Sequence, residues 1–460
     1  MPYRRKSPIF QRRGILAALL LCVCQIASAT RVDEASYHYP YKNPYLATAT
    51  VAILKDREER YVWDDTRYLD IELIPSRNDV YLLEGKGKLR VRYSPQPGPA
   101  PLIFLLPGFG GSAYSGAARY VAQLLTDHGF QVLSLPSPFH WNFTLAASGS
   151  ALPGLTERDS EDLYRAMQSA LNMVRERFHP EITRIGLIGL SHGALSAAYL
   201  SKLDSERKKI GFDTTLLVNP PIDLPGAIHT IDRLADLEQR YTAKERSDIQ
   251  AYAVGVGSWA LSRDIEDADY FAHWDERLRL GDSEIRYLIG WTLRQPVGSS
   301  LYVSALVHPR MGILQTPITW GYRSVRLEEA RSFDLLDYLE RVLVPQLEPT
   351  SGRKLSFDQL VRESSLTSIA SALRDNPKVY LMHNADDFLV SGEDLKFAER
   401  IFGGRATIYP CGGHLGNLWY TQNRQDILAI LKPLLTDLSM ARQTGERDDR
   451  ISHAMGGSDD

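Results

Sequence analysis

Five residues, Gly189-Leu190-Ser191-His192-Gly193, constrain this chain more than any other stretch because of what stands on either side of them. Before them runs Ile185 to Gly189 (IGLIG), wholly apolar, and after them a segment of small residues, Ala194, Ser196, Ala197 and Ala198. Strand, tight turn and helix in that order make an elbow. The turn forces its central residue into a strained backbone, and glycines two positions to either side let strand and helix approach closely. Ser191 Oγ is then expected above the sheet edge, with the His192 amide, at the helix start, placed to hydrogen-bond an oxyanion. A G-x-S-x-G alone arises by chance; the strand before and the helix after give it weight.

The rest of the chain supplies the sheet such an elbow needs. After a polar, Tyr-rich entry (Tyr37, Tyr39, Tyr41, Tyr45), residues 68–74 (YLDIELI) and 88–93 (KLRVRY) alternate apolar and polar, which predicts two antiparallel strands. Leu102 to Leu106, Phe130 to Leu135, Ile185 to Gly189 and Leu216 to Asn219 are apolar runs. They alternate with helical patterns over 116–127, over about 157–178 with Thr156 or Asp159 as cap, and from 193. That is an α/β pattern, a mostly parallel central sheet flanked by helices. From Asp223 to about Asn376 the patterns are helical only, near 226–241, 243–261, 283–293, 327–344 and 356–374. The sheet resumes at Val379 to Met382 and Ala406 to Tyr409 and closes on a helix over 421–435. Two short strands form no stable sheet alone, so the helical stretch reads as an insertion.

A serine nucleophile needs a base and a group that orients the base. His414 sits in Pro410-Cys411-Gly412-Gly413-His414-Leu415-Gly416, directly after the last strand, and Asp386 and Asp387 directly follow the strand before it. The order Ser, acid, His is that of hydrolases carrying this elbow. Both loops leave strands at their C-terminal ends, the edge where ligands bind in open α/β sheets. His192 is carried away from the Ser191 oxygen by its helix, and His383 reads as a core residue at a strand end. No H-E-x-x-H and no paired cysteines are present, so neither metal nor cofactor is expected. Pro107-Gly108-Phe109-Gly110-Gly111 is not a dinucleotide fingerprint, because Ala113 stands where the third glycine belongs.

These motifs, in this order, resemble the α/β-hydrolase fold over about residues 68–222 and 377–436. The resemblance implies a second oxyanion amide from the loop after 102–106, where the family often has His-Gly-x-x-Gly and this chain has Pro107 in place of the His. A backbone amide carries that role, and it falls to Phe109, with Gly110 as the alternative. The family pattern favours Asp387 over Asp386, since the acid stands directly before a pair such as Phe388-Leu389. The implied chemistry is acyl transfer to water: Ser191 attacks, His414 is general base, Asp387 holds the imidazole, and the amides of His192 and Phe109 bind the oxyanion. Carboxylic esters or thioesters come first as substrates, peptides or amides second, and an idle binding protein of this fold third. The stretch 223–376 falls where such hydrolases carry a lid. It holds Trp259, Trp274, Trp291 and Trp320, four of the seven tryptophans, which suits either an apolar acyl pocket or a cap with its own core. An acidic anchor among Glu238, Asp264, Glu266 and Asp269 would favour a peptidase.

Composition narrows the rest. At 44% hydrophobic, 10% aromatic and 24% charged the chain is ordinarily globular, and a net charge of −3 gives no reason to expect nucleic acid. Residues 1–14 hold Arg4, Arg5, Lys6, Arg12 and Arg13 and no acid; an apolar run from Ile15 to Ala27 and then Ala27-Ser28-Ala29 follow. This is a signal-peptide pattern with cleavage expected after Ala29. The apolar run is thirteen residues, short of the roughly 20 that span a bilayer. Arg12-Arg13-Gly14-Ile15-Leu16 loosely resembles a twin-arginine signal, which leaves the export route open. Cleavage would leave 48 basic against 56 acidic residues, a net charge of −8, and Cys411 as the only thiol. The expected organisation is a signal peptide (1–29), a hydrolase domain (30–222 with 377–437), a helical lid (223–376) and a polar, disordered tail (438–460) in a periplasmic or secreted protein. Its expected partner is a small apolar acyl substrate, with no nucleic acid and no stable membrane span. Asn142-Phe143-Thr144 fits a glycosylation sequon.

Overall fold

A computed structural model describes residues 28–54, 66–114, 116–261, 271, 273–351 and 356–435. The expected leader up to 27 and the tail beyond 435 lie outside the described residues. Nine strands form one sheet: β1 (Thr30–Arg31), β2 (Arg67–Ile71), β3 (Leu89–Ser94), β4 (Ala100–Leu106), β5 (Gln131–Ser134), β6 (Ile182–Leu190), β7 (Thr214–Val218), β8 (Val379–Asn384) and β9 (Ala406–Tyr409). Their order is β1-β9-β8-β7-β6-β4-β5-β3-β2. The β2–β3 and β3–β5 pairs are antiparallel and every other pair is parallel.

The sequence pattern explains the placement. All seven residues of β4 are buried, as a strand covered on both faces requires, whereas β2 at the edge alternates exposed and buried. Leu102, Phe104 and Leu106 pack into one hydrophobic cluster while Ile103 and Leu105 pack into another, so the sheet has a core on each side. Successive strands add outward from β4 towards β5 on one flank and from β6 towards β9 on the other. The chain therefore opens a crevice between the C-terminal ends of β4 and β6, where ligands gather in such sheets.

Helices α1 (Pro44–Ala49), α2 (Gly116–Asp127), α3 (Trp141–Ala146), α4 (Thr156–Phe178) and α5 (His192–Arg207) precede β7 or flank it, and α6 (Leu224–Ala235), α7 (Ala243–Leu261) and α8 (Asp282–Val307) follow. The expected ranges 116–127 and 243–261 match. Between β7 and β8 the described residues contain helices and no strand.

Several local expectations need correction. Neither Thr156 nor Asp159 caps α4, which starts after Leu155. The Asp159 carboxylate instead accepts from Gly154 N at 2.6 Å, and Thr156 Oγ1 donates to the Ser364 carbonyl at 2.9 Å. The helix expected over 283–293 continues to Val307 through Pro296. Val297, Leu301, Val303 and Leu306 bury themselves beyond the proline, which outweighs the roughly 3 kcal/mol a mid-helix proline costs. The helix expected over 327–344 breaks at Ser332-Phe333-Asp334, where the Asp334 side chain accepts from Asp337 N at 2.6 Å and starts a new turn. Unforeseen were β1, α1 and α3.

Three of the four tryptophans have unlike surroundings. Trp274 is buried in the core that faces α2, while Trp259 and Trp320 are 38% and 60% exposed. The helical stretch packs Leu301, Leu306, Leu339, Val342 and Leu343 into a core that it shares with Phe139, Leu145 and Leu152. Asn142 is buried with both amide atoms engaged, accepting from Arg90 N at 2.9 Å and donating to the Lys88 carbonyl at 2.8 Å, so no glycan fits the sequon.

Candidate active site

Ser191 ends the turn between β6 and α5 with φ 54° and ψ −122°. A non-glycine residue in that region costs on the order of 1–3 kcal/mol and persists only where its surroundings fix it. They do: Ser191 N donates to the Val218 carbonyl at 2.9 Å. A Cβ on Gly189 would overlap the Gly193 carbonyl, and one on Gly193 would overlap that of Pro107. The glycine spacing is thus a packing requirement between β6, α5 and the loop after β4.

From this elbow a hydrogen-bonded chain runs inward. His414 Nε2 lies 2.7 Å from Ser191 Oγ, and His414 Nδ1 lies 2.8 Å from Asp387 Oδ2. With the proton on Nδ1, His414 donates to Asp387 and accepts from the Ser191 hydroxyl. The Asp387 carboxylate also accepts from Asn219 Nδ2 at 2.9 Å and from Leu389 N at 3.0 Å. Burial pushes this carboxyl up, but the imidazole beside it and the bond that imidazole donates pull harder, leaving it below its ordinary range. Asp386 faces elsewhere. It accepts from Gly412 N at 3.2 Å and Gly413 N at 2.9 Å, and burial pushes it up to about 6.

The two amides assigned to an oxyanion have no hydrogen-bond partner among the described residues. His192 N opens α5, where the first amides of a helix lack intrahelical acceptors. In the loop after β4, Gly110 N donates to Ser137 Oγ at 3.2 Å and Gly111 N to the Gly108 carbonyl at 2.9 Å, which leaves Phe109 N free. Gly108 brings that loop against Ser191, since a Cβ there would sit 3.3 Å from Ser191 Cβ. The His192 ring lies 5.6 Å from both Phe109 and Phe139, and burial pushes its imidazole down to about 4, so it stays neutral. His383 is satisfied within the core, where Nε2 donates to the Pro220 carbonyl at 3.0 Å and Nδ1 accepts from Asn384 N at 3.0 Å.

Helix α8 crosses above the crevice. Pro296 presses on Gly110, where a Cβ would overlap the proline ring, and Leu293 packs with Phe388 and Leu389 beside the acid. Phe388 lies 6.0 Å from the His414 ring, Tyr45 stacks on Phe388 at 5.0 Å, and the Arg286 guanidinium lies 4.1 Å over Tyr45. Glu238 pairs with Arg294 at 3.0 Å rather than standing free as an amine anchor, and Asp264, Glu266 and Asp269 lie outside the described residues. A surface cleft of about 800 Å³ opens between α7 and residues 276–284, lined by Tyr252, Val256 and Trp259 among others, and none of Ser191, Asp387 and His414 lines it. Sequence reasoning missed Asn219 and Ser137, which fix the acid and the loop; a strand-end Asn and a turn Ser carry no signal of such a role.

Sheet order, elbow and loop placement together are those of the α/β-hydrolase fold. Neither a family model nor a curated protein matches the sequence. Among solved structures, the chain is similar to an esterase of Pyrococcus furiosus, with a TM-score of 0.39 at 13% identity over 81% of this chain and 96% of that one. It is similar to an esterase of Pyrobaculum calidifontis, with a TM-score of 0.39 at 13% identity over 86% of this chain and 91% of that one. An acylaminoacyl peptidase of Pyrococcus horikoshii gives a TM-score of 0.39 at 12% identity over 82% of this chain and 41% of that one.

Proposed function

We propose that this chain of α/β-hydrolase fold is a serine hydrolase that transfers an acyl group to water, with carboxylic esters or thioesters as substrates. The observation that carries the reading is the unbroken chain from Asp387 through His414 to Ser191, set on a strained elbow. His414 Nε2 takes the hydroxyl proton as Ser191 Oγ bonds to the carbonyl carbon, and the displaced electron pair settles on the carbonyl oxygen facing the amides of Phe109 and His192. Collapse expels the alcohol or thiol, which takes the proton from His414 and leaves an acyl group on Ser191. Water, deprotonated by the same imidazole, attacks that ester, and collapse releases the acid as Ser191 Oγ takes the proton back from His414. Asp387 keeps the proton on Nδ1 and stabilises the imidazolium formed in each half-reaction.

Phe109, Phe388, Leu293 and Pro296 give the crevice apolar walls, which suits an apolar acyl chain. The helical stretch between β7 and β8, through α8, acts as the lid over it. Glu238 is engaged with Arg294, which favours esters over peptides with a free amino terminus.

A fluorophosphonate probe should label the purified protein once per chain, and a panel of esters of increasing acyl length should turn over faster than aminoacyl amides. An unlabelled wild type would overturn the enzymatic reading in favour of a binding protein; faster amide cleavage would reassign it as a peptidase. The basic, then apolar amino terminus supports export. Mass spectrometry of the protein recovered outside the cytoplasm should find Thr30 first, and an intact Met1 there would refute cleavage after Ala29.

A further inference from the structure

We infer that residues 37–50, the Tyr-rich stretch before β2, are a strap that positions His414, with Thr48 as its working contact. This rests on the serine-hydrolase reading for its effect on turnover. His414 stands on a loop containing Gly412, Gly413 and Gly416, and a loop with three glycines gains precision only from what holds it. Helix α1 lies directly on it. A Cβ on Gly413 would overlap the Pro44 carbonyl and one on Gly416 the Ala47 carbonyl. Close approach to the strap therefore accounts for two of the glycines, and Gly413 also has φ 56°.

The contacts are polar and specific. Thr48 Oγ1 accepts from His414 N at 2.8 Å while donating to the Pro44 carbonyl at 2.7 Å, so helix geometry aims its lone pair at the loop. Tyr39 and Thr50 hydroxyls both reach the Gly416 carbonyl, at 3.0 and 2.9 Å. Tyr37 accepts from Asn417 Nδ2 at 3.0 Å and donates to Asn423 at 2.6 Å. From the opposite side Asp386 holds the amides of Gly412 and Gly413, and Asn384 Nδ2 donates to the Gly413 carbonyl at 2.8 Å. The loop is thus gripped between the acid-bearing segment and the strap. The strap in turn reaches α8, where Asn43, the cap of α1, donates to Asp282 at 2.8 Å. Among these bonds only the one from Thr48 ends on the backbone of His414 itself.

Thr48→Val removes the acceptor and keeps the shape. It should lower kcat and the rate of fluorophosphonate labelling about tenfold, since small misplacements of a reacting group have effects of up to about a hundredfold, with KM unchanged. Thr48→Ser restores the acceptor and should bring kcat back to within about twofold of wild type. Deuterium uptake in the peptide containing 411–417 should rise in Thr48→Val and not in Thr48→Ser. A lower thermal midpoint with kcat and uptake unchanged would overturn the assignment and make Thr48 merely structural. If wild type itself fails to label, the enzymatic reading has failed, and uptake alone decides the strap: equal uptake in wild type and Thr48→Val overturns it.

Discussion

A Ser191→Ala variant should fold as wild type does and lose ester hydrolysis by about a millionfold in kcat, the size of effect seen when a nucleophile of this kind is removed elsewhere. The side-chain oxygen makes one hydrogen bond, to His414, and the backbone bond from Ser191 N to Val218 survives the change. Alanine also inherits the same φ of 54° rather than relieving it. Thermal midpoint and circular dichroism should therefore stay close to wild type while fluorophosphonate labelling disappears. What activity remains would come from the amides of Phe109 and His192, which act on a carbonyl attacked by water. Removing His414 as well should cost almost nothing more, because the two groups act as one unit. Labelling that persists in Ser191→Ala would place the nucleophile elsewhere and sink the proposal.

Features written in local spacing were legible. Gly189 and Gly193 stand two residues to either side of Ser191 because β6, α5 and the loop after β4 leave no room for a Cβ, and that demand is visible in five consecutive letters. The apolar run of β4 and the periodicity of α2 were equally local. What was illegible depends on partners far along the chain. β1 is two residues paired with β9 across nearly the whole sequence, and Thr48 meets His414 at a separation of 366. No composition rule singles out a threonine on a six-residue helix. The helix expected over 283–293 runs on for a related reason: propensity disfavours continuing through Pro296, and burial of Val297 and Leu301 carries it to Val307. Asp386 and Asp387 are neighbours, so spacing alone could not separate them. Their side chains leave the backbone in different directions, one towards the amides of Gly412 and Gly413 and the other towards the imidazole.

That divergence makes the paired amide variants the sharper experiment. In Asp387→Asn, an amide oxygen that keeps the bond from Leu389 N puts the NH₂ group where Oδ2 stood, facing His414 Nδ1 and the Asn219 donor. Donor then meets donor, and the conflict is relieved when His414 takes the other tautomer, with its proton on Nε2 and its lone pair on Nδ1. The ring can no longer accept the Ser191 proton, and kcat should fall about 10⁴-fold with modest change in KM. Asp386→Asn leaves an amide oxygen for one of the two loop amides, so kcat should fall only about fivefold, the scale of a single weakened neutral hydrogen bond. The pH response separates them further. Because burial lifts Asp386 to about 6, above the roughly 4 of an unfolded carboxyl, the folded protein holds a proton that the unfolded chain has released. Stability contributed by this group is full at pH below about 4 and declines as pH rises to about 6. Asp386→Asn should flatten that decline in thermal midpoint. Asp387 lies below its ordinary range, so its contribution has the opposite sense, present at neutral pH and lost on acidification. A ratio of the two kcat losses near 10³ follows from the assignment of Asp387 to the imidazole; a ratio below one would transfer that role to Asp386.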